Sequence, residues 1–165
     1  KDIWKFLRLR PSNFPTIRLA QLAALLHKDV KLFASIKDTK NIKEIHRLLD
    51  ADVSDYWKQH YRFDKPAKNV NIHLGSAMKN ILIINAVAPV LFAYGKYKGN
   101  ESFCDKAIVL LEKCEPENNS IITGWEKLNV TAINAFETQS LLQLKNEYCT
   151  PFRCLECAIG NKILK

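Results

Sequence analysis

The sequence predicts an all-α fold of about five to seven helices in a single compact domain, with a cysteine-containing cap at its C-terminal end. Only five Gly and six Pro occur among the 165 residues, which favours helices over a turn-rich β fold. Apolar residues recur at spacings of three and four along most of the chain. A chain of this length buries roughly 70% of its unfolded surface as one domain, so residues 1–165 are expected to form one domain.

Two prolines separate an N-terminal arm from the first predicted helix. Pro11 and Pro15 preclude regular helix across the residues between them, so the arm is expected to be extended. Pro15 suits the first turn of a helix, where its missing N–H costs nothing, and an apolar face then continues to Phe33. One amphipathic helix with a basic stripe is therefore expected from Pro15 to Ser35.

Capping residues divide the rest of the chain into further helices. Asn41, three residues before Glu44, resembles a capping box. The other candidate N-caps are Ser54, Ser76, Ser102 and Thr131. In the last predicted helix the residues expected to face inward are Ile133, Phe136, Ser140, Leu141 and Leu144. No convincing strand is predicted from the sequence.

The longest apolar stretch, residues 81 to 93, is expected to lie within a buried helix at the centre of the fold. Pro89 interrupts it, which predicts a kink that involves Asn85, and Gly95 and Gly99 are expected to stop the helix. The stretch falls short of the roughly 20 residues that span a bilayer, so no membrane association is expected.

The net charge of +8 favours acidic partners such as nucleic acid or an anionic membrane surface. Basic residues of the arm and first helix alternate with Trp4, Phe6 and Phe14. This composition is typical of surfaces that bind phosphates and stack on bases. The candidate nucleic-acid-binding residues are Arg8, Arg10, Arg18, Lys28 and Lys31. Alternatively, these residues form a solvated face or pair with acidic residues of the same domain.

Three of the five cysteines, Cys149, Cys154 and Cys157, lie within nine positions. A C-x2-C pair is a common half-site for zinc, and these three are the candidate metal ligands. A fourth ligand would have to come from Cys104, Cys114 or one of the four histidines. An iron–sulfur cluster requires a fourth local cysteine that this segment lacks. The alternative is that the cysteines stay reduced and pack as small apolar residues.

No catalytic motif is recognisable in the sequence. It contains no HExxH pair, phosphate-binding GKS/T loop, GxSxG elbow or GxGxxG turn. A carboxylate and histidine site could in principle be built from Glu44, Asp50, Asp52, Asp55, His46 and His60. Helix capping and solvated turns explain the same residues without any catalytic role.

Three phrases carry a resemblance to a known family: residues 6–21, residues 83–95, and the cysteine segment 148–160. They resemble the C-terminal part of an uncharacterised bacterial family of the Bacteroides type, known only as a domain of unknown function. The resemblance implies that a comparable stretch precedes residue 1, and that the protein is cytoplasmic, where reduced cysteines or a metal site are favoured over disulfides. It supplies no activity, cofactor or catalytic residue.

Three functional hypotheses follow. The first is a nucleic-acid-binding or nucleic-acid-processing accessory domain. The second is a structural module that packs on the N-terminal part of its own chain, which predicts an exposed apolar patch around Trp4, Phe6 and Phe14. The third is part of an enzyme that this N-terminal part completes, or one built around a metal at the cysteines.

Overall fold

The structure is a computed structural model that describes residues 6, 9–39, 41–68 and 70–164. It is 66% helical, which confirms the all-α fold class. The chain divides into two units, unit 1 (Lys1–Ile81) and unit 2 (Leu82–Lys165). The single domain expected from the sequence stays a prediction.

Unit 1 combines short helices with one β-hairpin. Its helices are α1 (Pro15–Lys28), α2 (Leu32–Asp38), α3 (Ile42–Leu48) and the start of α4 (Ser76–Leu82). A 3-10 turn, Asp55–Lys58, leads into antiparallel strands β1 (His60–Arg62) and β2 (Lys65–Pro66). Trp57 and Tyr61 are four residues apart, a spacing that predicts one helical turn after Ser54. The hairpin lies there instead, so that prediction is wrong. Tyr61 belongs to a strand that packs beside α1.

The core of unit 1 forms between α1 and the segments that flank the hairpin. Its buried residues are Phe14, Ile17, Ala20, Val53 and Ile72, with Trp57, Tyr61 and Val70 packed against them. Burial of each large apolar side chain contributes about 1.5–3 kcal/mol. Two polar side chains of α1 bind loop carbonyls at this core: Thr16 Oγ1 donates to Tyr61 O at 2.5 Å, and Gln21 Nε2 donates to Ile72 O at 2.7 Å.

The first predicted helix is interrupted at Asp29. The backbone of Asp29 is extended, and its carboxylate accepts bonds from Lys31 N at 2.9 Å and Ser35 Oγ at 2.5 Å. These side-chain bonds replace helical backbone bonds, because aspartate competes for nearby donors. The single helix from Pro15 to Ser35 is therefore corrected to α1 and α2, while Pro15 does lie in the first turn of α1.

Unit 2 contains the remaining helices. They are α5 (Ala88–Lys98), α6 (Glu101–Lys113), α7 (Ser120–Glu126), α8 (Ala135–Gln143) and α9 (Ala158–Leu164). A π-helical turn, Ile83–Val87, precedes α5, another, Leu144–Cys149, continues α8, and a 3-10 turn, Cys154–Glu156, precedes α9. The cysteine-containing cap is thus built from the end of α8, the following loop and α9.

Asparagine side chains cap four of the described helices, α3, α6, α7 and α8. Asn41 Oδ1 accepts a bond from Glu44 N at 3.0 Å, which confirms the predicted capping box. Three of the other predicted caps are wrong. Ser54 makes no cap bond, Asn100 caps α6 in place of Ser102, and Asn134 caps α8 in place of Thr131. The cap predicted at Ser76 stays a prediction.

The irregularity predicted at Pro89 takes the form of the π-helical turn just before it. Proline cannot donate the backbone bond to the residue four positions earlier, and a wider turn accommodates that loss. Gly99 ends α5 with a φ of 63°, as predicted. Gly95 does not stop the helix. It lies within α5 and lets α6 approach closely.

The inward face of α8 differs from the prediction. Ile133, Phe136 and Ser140 are exposed, whereas Ala135 and Thr138 are fully buried. Asn134 caps the helix, so Ile133 lies before its first turn, and Ala135 and Thr138, three residues apart, supply the buried face.

One helical stretch of the described residues, Ser76–Lys98, is long and apolar enough to cross a membrane by length and composition alone. One third of its most apolar window is buried. Core helices of soluble proteins meet the same criterion, so this is weak evidence. The expectation of no membrane association stays a prediction.

Close packing at Gly95 can be tested with a matched glycine. A Cβ on Gly95 would lie 2.7 Å from Cys104 Sγ, so we expect Gly95→Ala to lower the free energy of unfolding by about 1–3 kcal/mol. Gly124 in α7 has no heavy atom within 4 Å of its Cβ position, so Gly124→Ala should raise it by about 0.5–1 kcal/mol. Urea unfolding measures both, and equal effects would contradict the packing described.

Candidate functional site

Aromatic and basic side chains gather at the β-hairpin of unit 1. We call this the hairpin surface and define it by Tyr56, Lys58, His60, Arg62, Phe63 and Lys65. The 3-10 turn supplies Tyr56 and Lys58, strand β1 supplies His60 and Arg62, and the tight turn and β2 supply the other two. Asp64 has a φ of 58°, which reverses the chain within two residues and brings the strands together.

The rings of the hairpin surface are packed on one another. Tyr56 and His60 stack in parallel, with centroids 4.1 Å apart and planes 3° apart. Phe63 lies edge-on to Trp57 at 5.1 Å and tilted against Tyr56 at 6.3 Å. Such pairs contribute about 0.5–1.5 kcal/mol each beyond area burial. The rings therefore form one rigid array.

Two hydrogen bonds hold the stacked pair. Asp64 N donates to Tyr56 Oη at 3.1 Å, and His60 Nδ1 donates to the carbonyl of Tyr56 at 2.8 Å. A carbonyl only accepts, so the imidazole carries its proton on Nδ1, and Nε2 of the neutral ring is an acceptor. Turn geometry and ring orientation thus depend on each other.

Exposure separates two classes of aromatic residue in this region. Trp57 and Tyr61 pack against the core, which accounts for their presence. Phe63 is 64% exposed and Tyr56 is 39% exposed. Core packing does not explain a phenylalanine held at the tip of a rigid turn in contact with water.

Arg62 joins the hairpin to the N-terminal segment. Its guanidinium lies 4.4 Å from the ring centroid of Phe6 and 4.7 Å from that of Phe14. Those two rings meet edge-to-face at 5.0 Å. The guanidinium keeps its charge and its donors while its planar face covers apolar surface.

The hairpin region carries excess positive charge. Residues 55–68 contain four basic and two acidic side chains. Asp55 pairs with Lys58 Nζ at 2.6 Å, a contact whose hydrogen bond lowers the pKa of Asp55 and raises the pKa of Lys58. Lys65 and Lys68 are exposed and make no ion pair within the described residues.

Four of the predicted nucleic-acid-binding residues are described, and they lie near the two ends of α1. Arg8 lies outside the described residues, and Arg10 is exposed before the first helical turn. Arg18 is half-buried and donates to Asn13 Oδ1 at 2.5 Å and to Gln21 Oε1 at 2.8 Å, and burial lowers its pKa. Its guanidinium therefore fastens the start of α1 to the preceding turn.

Lys28 and Lys31 lie near the other end of α1, where ten residues of helix place Lys28 about 15 Å from Arg18 along the axis. Lys28 Nζ donates to the carbonyl of Arg47 at 3.0 Å and to that of Asp50, so its charge lies against the last carbonyls of α3. Lys31 is exposed. The role of all five residues in nucleic-acid binding stays a prediction.

The three candidate metal ligands are brought together in unit 2. Cys149, Cys154 and Cys157 line one apolar cavity at the C-terminal cap. Within the part of the chain that the structure describes, no group of three or more His, Cys, Asp or Glu side chains is arranged to hold a metal ion. The ligand set for zinc or an iron–sulfur cluster is therefore not assembled there.

The other two cysteines belong to the core of unit 2. Cys104 packs against Gly95, and its thiol lies 3.6 Å from the carbonyl of Phe92. Cys114 is fully buried, and burial with a contribution from Glu115 raises its pKa to about 11. The thiol of Cys114 is therefore protonated at neutral pH. Both cysteines pack as small apolar residues.

Acidic and histidine residues considered for catalysis are distributed among structural roles. Asp50 pairs with the buried Lys79 at 2.5 Å, and His46 Nε2 lies 2.9 Å from Asn80 Oδ1. Asp50 and Asp52 do line a polar cavity of about 330 Å³ together with Lys28 and His73. His60 contributes to the hairpin surface instead.

Sequence reasoning missed most of the hairpin surface. The missing signal was the alternation of aromatic and basic residues across 56–63, which has the period of a strand. It was read as helical because Trp57 and Tyr61 are four residues apart. The exposure of Phe63 depends on the turn and is not visible in the sequence.

Thiol accessibility gives a direct check of the cysteine environments. We expect iodoacetamide at pH 8 to modify Cys154 first, because it is the exposed residue of the five cysteines. Cys104 and Cys114 should react only after unfolding, since both are buried and Cys114 is protonated at that pH. Mass spectrometry of partially modified protein measures the order, and early modification of Cys114 would contradict the core described.

A protein family with the description "Protein of unknown function (DUF2851)" matches residues 1–120. The match includes the hairpin surface and the phrases 6–21 and 83–95, and the cysteine segment 148–160 lies beyond it. Comparison with curated proteins finds no match, and comparison with solved structures finds none either. The match covers more than two thirds of the chain, so the chain belongs to this family of unknown function.

Proposed function

We propose that unit 1 binds single-stranded nucleic acid through the hairpin surface. The observation that carries the proposal is the ring of Phe63, 64% exposed and fixed beside the stacked pair of Tyr56 and His60. Exposed basic side chains lie on the same short segment.

Exposed rings on a rigid turn are suited to stack on bases. Stacking of a base on an aromatic side chain contributes about 1–3 kcal/mol and is tolerant of sequence. The Tyr56 ring is already held by the bond from Asp64 N to its Oη and by stacking on His60, so little conformational entropy is lost when a base binds. The surface is thereby pre-organised for a flat partner.

The charges of the segment suit a phosphate backbone next to those rings. Lys65 and Lys68 lie two and five residues after Phe63, and Arg62 lies just before it. Lysine and arginine that neutralise phosphates release counterions, which makes affinity dependent on salt. Arg10, exposed on the segment that Arg62 covers, is a further candidate contact.

A single strand fits this surface better than a duplex does. In a duplex each base face is covered by its neighbours, so protruding rings find no base to stack on. The hairpin offers few polar side chains placed to read base edges, since its tip carries phenylalanine and aspartate. We therefore expect weak sequence preference.

Fluorescence anisotropy tests the proposal with a labelled single strand of about 16 nucleotides and the matching duplex. The single strand should bind more tightly, with affinity falling as salt rises. Lys65→Gln should reduce the slope of log affinity against log salt by about 0.7, the contribution of one phosphate contact. Lys162→Gln in unit 2 is the matched control and should leave the slope unchanged. No binding at low salt, or tighter binding of the duplex, would overturn the proposal.

Removal of the exposed ring should weaken binding without unfolding the protein. We expect Phe63→Ala to lower affinity for the single strand by about 1–3 kcal/mol, or roughly 5- to 150-fold. Phe152 in unit 2 is 87% exposed, and Phe152→Ala serves as the control that should have no effect. Equal affinities of the two variants would show that the Phe63 ring makes no contact.

A second candidate function rests on a separate observation. Leu19, Leu22 and Leu26 lie at helical spacing on α1 and are all about half exposed. This stripe suits a packing partner, which we propose is the N-terminal part of a longer form of this chain. Of the apolar patch expected around Trp4, Phe6 and Phe14, the ring of Phe14 is buried and so is not part of an exposed patch. Trp4 lies outside the described residues, and the rest of that expectation stays a prediction.

Alanine substitutions of two leucines in α1, one exposed and one buried, test whether the leucine stripe is covered by a partner. Leu22→Ala should change the free energy of unfolding of this chain by less than about 0.5 kcal/mol, because its side chain is exposed. Leu25→Ala should lower it by about 2–5 kcal/mol, because Leu25 is buried. In the longer chain, Leu22→Ala should become destabilising as well. An unchanged effect there would contradict the proposed packing.

A further inference from the structure

The cavity at the C-terminal cap of unit 2 is separate from the hairpin surface. It has a volume of about 180 Å³. Most of its wall is formed by two aromatic residues, one leucine and three cysteines, which are Trp125, Tyr148, Leu144, Cys149, Cys154 and Cys157. Ile159 and Gly160 of α9 complete it. Residues of α7, of the π-helical turn after α8, of the following loop and of α9 therefore surround one cavity.

Specific local contacts hold the wall in place. Arg153 N donates to the carbonyl of Tyr148 at 2.8 Å, which fixes the loop after the π-helical turn. Asn161 N donates to the carbonyl of Cys157 at 2.8 Å, and its side chain donates to Leu155 O at 2.5 Å. Gly160 lies so close to the backbone of Cys154 that a Cβ would collide with the Cys154 carbonyl.

The chemistry of the cavity surface excludes water as a good occupant. No nitrogen or oxygen atom contributes to that surface. The cavity opens to solvent, since Ile159 on its wall is 55% exposed. A water at this wall finds no polar partner there, so its replacement by an apolar group is favourable. The space is therefore suited to a small apolar molecule.

The wall favours an aromatic molecule over an aliphatic one. Trp125 and Tyr148 offer rings for edge-to-face or offset contacts, each contributing about 0.5–1.5 kcal/mol. Three thiols add polarisable sulfur, and sulfur–aromatic contacts contribute about 0.3–1.5 kcal/mol. An aliphatic ring of the same size would gain neither contribution.

We propose that this cavity is a binding site for a small aromatic molecule of one ring or two fused rings. The aromatic side chains and sulfurs of the wall select for a flat π-system, and the volume limits its size. Binding here is independent of nucleic-acid binding at the hairpin surface, so either can fail without the other.

Solution NMR of the full chain with toluene as the probe tests this proposal. We expect saturable chemical-shift changes and intermolecular NOEs from toluene to the rings of Trp125 and Tyr148. Methylcyclohexane, which has the same number of carbon atoms, should bind at least about fivefold more weakly, the equivalent of one aromatic contact of about 1 kcal/mol. Absence of the NOEs, or equal affinity for the two probes, would overturn the proposal.

A second experiment fills the cavity with a larger side chain. Leu144→Trp should lower toluene affinity at least about tenfold, since the added ring occupies the space and more than one favourable contact is lost. Ile133→Trp, at an exposed position outside the wall, should leave affinity unchanged. Unchanged affinity of a folded Leu144→Trp protein would contradict the site. If that variant does not fold, the NOEs and the comparison of probes in the native chain decide the question.

Discussion

The stacking of Arg62 over the rings of Phe6 and Phe14 is the contact on which the hairpin surface depends. A two-stranded hairpin is marginal in water by itself and requires a surface to pack on. Arg62 supplies one attachment of β1, and the bond from Thr16 Oγ1 to the carbonyl of Tyr61 supplies a second. With the strand fixed to α1, the short turn through Asp64 can hold Phe63 in solvent.

Local chemistry explains which parts of the fold were predictable. Asn41 and Gly99 were predicted correctly because a cap bond and a left-handed residue act over three or four positions. Gly95 was misread because its role is to admit Cys104 from a neighbouring helix. Asp29 ends α1 through bonds to Lys31 and Ser35, which compete closely with continued helix. Contacts formed in the folded chain therefore determine the role of Gly95 and the end of α1, which the spacing of residues in the sequence does not predict.

The same distinction applies to the candidate sites. Composition identified a basic and aromatic N-terminal region, but Arg18 and Lys28 use their donors on groups of unit 1 itself. The exposed side chains held in fixed positions are instead Tyr56 and Phe63. Their exposure is set by the turn and not by a periodic pattern in the sequence. The proximity of three cysteines was predictable from their spacing. That they line an apolar cavity depends on Trp125 and α9, which the spacing does not reveal.

The central claim, that rings at the hairpin tip contact bases, is tested most directly by NMR mapping of the full chain with a short unlabelled single strand. The account predicts the largest shift changes, and intermolecular NOEs to base protons, at the rings of Tyr56, His60 and Phe63. Changes confined to Lys28 and Lys31, with none at these three rings, would contradict it.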